Sequence, residues 1–244
     1  MLKLVGGLFI CISFGTLISL VTMAMASELP ASQQRFIRFL ISTASFQIAG
    51  IVLVHFFLKA NETSWREFLG LRGGETRQAM LVGIVVALMA IPGILGLNEL
   101  SRATLAALGH EPAAQPTMQI LEGTQSFGQR LVFAFTAIML APLIEEFLFR
   151  GILYRTGLQL GFPKLALFGT SILFAAIHGS VMTLLPLTVL AIVFCKLYDH
   201  TRRLIAPILA HACFNFANFV LFLYRQESQD WINQTIERIK SLPG

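Results

Sequence analysis

The stretch LAPLIEEFLFRGILYR, from Leu140 to Arg155, sets Glu145, Glu146 and Arg150 inside otherwise apolar sequence. A charged side chain at mid-bilayer costs roughly 2.5 to 3.5 kcal/mol on insertion scales, so three of them nearly cancel the gain from one apolar span. Helical geometry divides their labour. At about 100° per residue, Glu146 and Arg150 are four apart and share a face where they can pair, whereas Glu145 points away and has no partner on its own helix. The bland alternative is that all three are solvated at a membrane edge.

The surrounding composition settles the class. Of 244 residues, 55% are hydrophobic and only 13% charged, with a mean hydropathy of +0.72; soluble domains carry about 25% charge. The expectation is an all-α, polytopic transmembrane helical bundle of about seven to eight spans with an interfacial amphipathic helix, forming a single transmembrane domain over residues 1–244. The net charge of +5 is no nucleic-acid signal, because the basic residues lie mostly between apolar runs and form no dense stripe. Cys11, Cys195 and Cys213 sit in apolar segments without metal-site spacing.

Outward from the central stretch, the helical pattern runs from about Phe127 to Leu160 and stops at Gly161-Phe162-Pro163, which puts Glu145 near its middle. Further spans are expected at Leu165 to His178, Met182 to Tyr198 and Leu204 to Tyr224, followed by a tail whose Trp231, Ile232, Ile236 and Ile239 suggest a surface-lying amphipathic helix. Upstream, Leu4 to Ala26 reads as an uncleaved first span, with cleavage after Ala24-Met25-Ala26 as the alternative. Phe39 to Leu58 is a second span, with His55 in a packing or interfacial role. Ala79 to Leu97 is a third, which Pro92-Gly93 should bend or stop. Between them, Lys59 to Gln78 reads as a polar connector with a short interfacial helix around Trp65. Asn98 to Arg130 reads as a connector with one short helix.

Three apolar helices thus carry polar residues: Glu145, Glu146 and Arg150 on one, His178 on the next, His211 and Asn215 on the last. His211 and Asn215 are four apart and share a face. The set suits amide hydrolysis. A carboxylate and an imidazole can activate one water, while an imidazole and a carboxamide on adjacent turns can donate to the oxyanion that develops. No Ser/His/Asp or Cys/His nucleophile set is evident. Zinc is possible on Glu145, His178 and His211 but not favoured, since Asn is a poor zinc ligand and H-E-x-x-H is absent.

These residues carry a resemblance. EEFLFRG (Glu145 to Gly151), FAAIH (Phe174 to His178) and HACFN (His211 to Asn215) are similar, in order and spacing, to the E-E-x-x-x-R, F-x-x-x-H and H-x-x-x-N motifs of the CPBP family of CAAX prenyl endopeptidases and bacteriocin-processing or immunity proteins (Abi). The resemblance covers roughly Leu131 to Leu223, with catalytic motifs in 140–220. It implies an intramembrane endopeptidase in which Glu145 and His178 activate water, His211 and Asn215 form the oxyanion site, and Glu146 and Arg150 support it. It implies as partners the bilayer and a membrane-associated peptide or protein substrate, lipidated or not, and no nucleic acid.

Two other classes compete: a non-catalytic binding or immunity protein on the same fold, and a proton-coupled transporter, against which the lack of an internal repeat argues. The expected location is a bacterial inner (plasma) membrane. With the Lys59 to Gln78 connector inside, 11 of the 18 Lys and Arg residues, Arg150 among them, fall on the cytoplasmic side. This predicts a cytoplasmic N-terminus and, for seven spans, an exported C-terminus.

Overall fold

A computed structural model describes residues 29–111, 115–124 and 126–240. The expected first span, Leu4 to Ala26, lies outside the described residues. Eight helices follow: α1 Ala31–Ala60, α2 Trp65–Phe68, α3 Thr76–Ala107, α4 Pro116–Glu122, α5 Phe127–Gln159, α6 Pro163–Ala176, α7 Val181–Thr201 and α8 Ile205–Lys240. No strand occurs among the described residues. The helices α1, α3, α5, α7 and α8 are long and apolar enough to cross a membrane, and α6 is a shorter apolar helix of 14 residues. The all-α, polytopic expectation holds.

Small residues bring the helices together. Ala79, Gly83 and Ala87 recur every fourth residue on α3 and are buried, as are Ala206 and Ala210 on α8. A Cβ placed on Gly83 would lie 2.4 Å from the Ala206 carbonyl oxygen, so the two backbones approach as only glycine permits. Large aromatic side chains fill the centre instead. Phe147, Phe149, Phe174 and Leu148 pack with Val54 of α1 and Ile208 of α8 in one cluster around the middle of α5. Its outer surface is apolar, with Leu88 and Met89 of α3 and Phe168 of α6 exposed, as suits side chains facing lipid.

Two expectations are corrected. Pro92 does not stop α3, which continues to Ala107; the neighbouring turns accommodate a proline in a span, and Gly93 and Gly96 leave space beside it. The tail forms no separate surface helix. With no glycine or proline after Pro207 to interrupt it, α8 runs without a break for 36 residues, about 54 Å at 1.5 Å per residue, so Trp231, Ile232 and Ile236 are exposed on an extension of the last span. The turns do break where the sequence places glycine: Gly70, Gly73, Gly161 and Gly179 all have positive φ.

Candidate active site

The helix α5 spans Phe127–Gln159, so Glu145 stands near its middle. It is not a uniform α-helix. Residues Thr136–Leu140 and Phe147–Tyr154 are wound as π-helix on either side of the turn Ala141–Glu146. Pro142 accounts for the first widening. Ala141 donates its N–H five residues back, to the Thr136 carbonyl, and in that register the Ala137 carbonyl would fall to Pro142, which has no N–H. The vacancy is filled from another helix: Asn215 of α8 donates through Nδ2 to the Ala137 oxygen at 2.8 Å. The bond ties α8 to α5 two turns before the carboxylates.

Around the second π segment the charges are fully enclosed. Arg150 donates from Nη1 to Glu146 Oε1 at 2.8 Å and from Nη2 to the Ala191 carbonyl at 3.0 Å. Its guanidinium lies over the rings of Phe174 and Phe194, with Cζ 4.8 and 5.3 Å from their centroids. Glu146 is 0% exposed and Arg150 1%, so the reading of solvated edge charges is excluded, and Arg150 leaves the cytoplasmic count. Gly151 allows the packing beside this pair, because a Cβ there would stand 2.4 Å from the Phe68 ring.

His211 bridges the two carboxylates. Its Nδ1 is 3.0 Å from Glu146 Oε1, while its Nε2 is 3.8 Å from Glu145 Oε2, beyond hydrogen-bond reach. An ionised Glu146 only accepts, so Nδ1 carries the proton and donates; Nε2 then presents a lone pair or, in the imidazolium, a second proton. Glu145 differs from its neighbour. The Oε2 atoms of both are buried without a hydrogen-bond partner, but Glu146 is engaged at Oε1 by Arg150 and His211, whereas Glu145 accepts no hydrogen bond among the described residues. His178, part-buried at the end of α6, donates from Nδ1 to the Phe174 carbonyl at 2.7 Å, which leaves its Nε2 as the free end.

The structure thus brings Glu145, Glu146, Arg150 and His211 into one cluster and sets His178 and Asn215 at its margins, each anchored to a backbone carbonyl. Phe174 joins the two histidines: its ring centroid is 4.8 Å from that of His178 and 5.6 Å from that of His211. Sequence reasoning quoted Phe174 only as part of a motif and assigned nothing to Pro142, Ala191 or Phe194. Pro142 inside an apolar helical run was the available signal for the first π segment. The zinc set fits poorly. Among the described residues no three His, Cys, Asp or Glu side chains group to hold a metal.

Residues 127–217, which contain all three motifs, match the family described as type II CAAX prenyl endopeptidase Rce1-like. The CPBP resemblance is borne out. A Bacillus subtilis (strain 168) protein named "Putative membrane peptidase YdiL" is 24% identical over 164 residues, 67% of this chain and 63% of that protein. The chain therefore aligns with less than two thirds of that relative's length. No solved structure matches the chain significantly.

Proposed function

We propose that this chain is an intramembrane endopeptidase of the CPBP type, hydrolysing a peptide bond in a membrane-associated peptide or protein without a metal. The observation that carries the reading is the inequality of the two carboxylates. The Oε2 atoms of both lack a hydrogen-bond partner, but Glu146 Oε1 is engaged by both Arg150 and His211, whereas Glu145 accepts no hydrogen bond among the described residues. A general base must be free to take up a proton; the Glu146 carboxylate is committed to Arg150 and His211, and that of Glu145 is not.

In this reading Glu145 takes a proton from the attacking water and the free Nε2 of His178 orients that water. His211, with Nδ1 held by Glu146, donates from Nε2 to the oxyanion when it is imidazolium. Asn215 keeps a second N–H on Nδ2 for the same purpose while the first holds Ala137. Glu146 and Arg150 position His211. We place the protein in a bacterial plasma membrane with its N-terminus in the cytoplasm and leave its substrate open to lipidated and unmodified chains alike.

Comparing membrane peptides from cells with and without the protein identifies a cleavage product, and the purified chain in liposomes is then tested on its parent. Glu145→Gln should fold and insert normally yet lose nearly all turnover, as should His178→Ala. Undiminished cleavage by Glu145→Gln sinks the assignment. A zinc chelator should leave the rate unchanged. Inactivation reversed by added zinc, with metal bound in proportion to protein, would replace this mechanism by a zinc-dependent one.

A further inference from the structure

A second polar feature lies at one end of the bundle, away from the carboxylates. The α1–α3 connector, the α5–α6 turn and the α7–α8 turn meet there: Arg203 donates to the carbonyls of Gly70 and Arg72, and the Ile205 N–H donates to the Leu69 carbonyl at 3.1 Å. This end carries Lys59, Arg66, Arg72, Arg77, Arg155, Lys164, Lys196, Arg202 and Arg203, against Glu62, Glu67, Glu75 and Asp199. By the positive-inside rule it is the expected cytoplasmic face.

Into this end opens a cleft of about 410 Å³ whose lining includes Thr63, Phe68, Arg155, Gln159, Tyr198 and Arg202. Its one carboxylate, Glu67, is paired with Arg72 at 3.3 Å. The other basic groups of the end are either engaged or, like Lys59, Arg66, Arg77 and Lys164, outside the lining of the cleft. Arg203 is bonded to Gly70, Arg72 and Thr76, and Lys196 lies 4.0 Å from Asp199. Arg155 and Arg202, by contrast, have no ion pair or hydrogen bond from their guanidinium groups among the described residues, and both line the cleft. Arg202 also holds the left-handed conformation, φ 54°, at the end of α7, where glycine is the usual residue. The arginine thus stands at a position that disfavours a side chain, in a cleft it shares with the Tyr198 hydroxyl and a second free guanidinium.

We infer that this cleft binds a phosphate-bearing anion at the membrane edge, with Arg155 and Arg202 as its cationic walls. Planar guanidinium groups match phosphate oxygens with paired N–H donors, and the hydroxyl of Tyr198 and amide of Gln159 add neutral donors. The surroundings suit a lipid headgroup. Trp65 on α2 packs its ring 6.4 Å from that of the cleft residue Phe68, and Leu160 and Phe162 on the adjoining turn are 59% and 58% exposed, placing apolar surface where acyl chains would run. A bound headgroup would also press on Phe68, whose ring packs against Phe147 and fills the space over Gly151 on the helix that carries the carboxylates.

The test uses the purified full chain, stripped of lipid in a neutral detergent, with binding read by native mass spectrometry and thermal unfolding. Phosphatidylglycerol, phosphatidylcholine and inorganic phosphate are titrated separately. Phosphatidylglycerol should bind and raise the melting temperature. Affinity should fall about fivefold for Arg155→Gln or Arg202→Gln and about 25-fold for both together. Lys196→Gln, at the same end but outside the cleft, should bind as wild type does. A matching arginine-dependent response to inorganic phosphate would keep the site and name a soluble phosphate as its source. Wild-type affinity in the double variant, or an equal loss in Lys196→Gln, overturns the inference. If the double Gln variant does not fold, Arg155→Lys with Arg202→Lys is read instead: it keeps charge and loses the planar fork, and unchanged affinity there refutes guanidinium recognition.

Discussion

Replacing Arg150 by alanine tests whether the ion pair is as buried as its geometry implies. The substitution removes the 2.8 Å contact with Glu146, the 3.0 Å hydrogen bond to Ala191 and two cation–π contacts, leaving Glu146, at 0% exposure, with His211 as its remaining partner. Stranding one member of a buried pair costs roughly 3 to 5 kcal/mol. For a chain of this size each kcal/mol moves the melting temperature by about 2 to 4 °C, so a drop of roughly 10 °C is expected, with a smaller folded yield. Fluorescence-detected size exclusion of detergent-solubilised protein after a heating series measures both. Glu146→Gln with Arg150→Met, which removes both charges, should cost less than Arg150→Ala alone, because no unpaired charge remains. An Arg150→Ala protein that accumulates and melts like wild type would show that water reaches the pair, and the enclosed arrangement argued for α5 would be wrong.

Other consequences are independently measurable. Asn215→Ala should lower turnover by about 100- to 1000-fold, the usual loss for one oxyanion donor, and should reduce stability because the Ala137 carbonyl loses its donor. Adding Pro142→Ala to Asn215→Ala restores a backbone N–H next to that carbonyl, so stability should recover in a heating series while turnover does not. Gly83→Leu should abolish folded protein by wedging α3 from α8, whereas Gly96→Leu, whose added side chain meets open space, should accumulate normally in membranes.

The sequence makes the polar cluster legible because charge in an apolar helix is costly and spacing fixes its face. Glu146 and Arg150, four apart, do pair at 2.8 Å, and the helix does run past Glu145 to Gln159 before Gly161 turns the chain. What stays hidden depends on other helices. The spacing of His211 predicts that it shares a face with Asn215, but only packing shows its ring held by Glu146 and Asn215 turned to Ala137. Ala79, Gly83 and Ala87 are readable at four-residue intervals, yet which helix they admit becomes clear only where Ala206 meets Gly83. The continuity of α3 through Pro92 is missed for a related reason: the soluble-protein penalty for proline is relieved when neighbouring helices can adjust to it.

The two π segments suggest why adjacent carboxylates can hold different states. In a regular α-helix Glu145 and Glu146 differ only by a turn of about 100°. Here the turn that bears them is flanked by widened helix on both sides, anchored upstream by Asn215 at Ala137 and downstream by Arg150 at Ala191. Glu146 is thereby locked between Arg150 and His211, with its negative charge compensated at short range. Across the remaining gap Glu145 Oε2 and His211 Nε2 face each other at 3.8 Å, too far for a direct hydrogen bond. Neither atom is therefore committed to the other, and both stay open to a third group placed between them. On the proposed mechanism this leaves Glu145 free to take a proton from water and His211 Nε2 free to donate to the oxyanion, while Glu146 holds the imidazole in place through Nδ1.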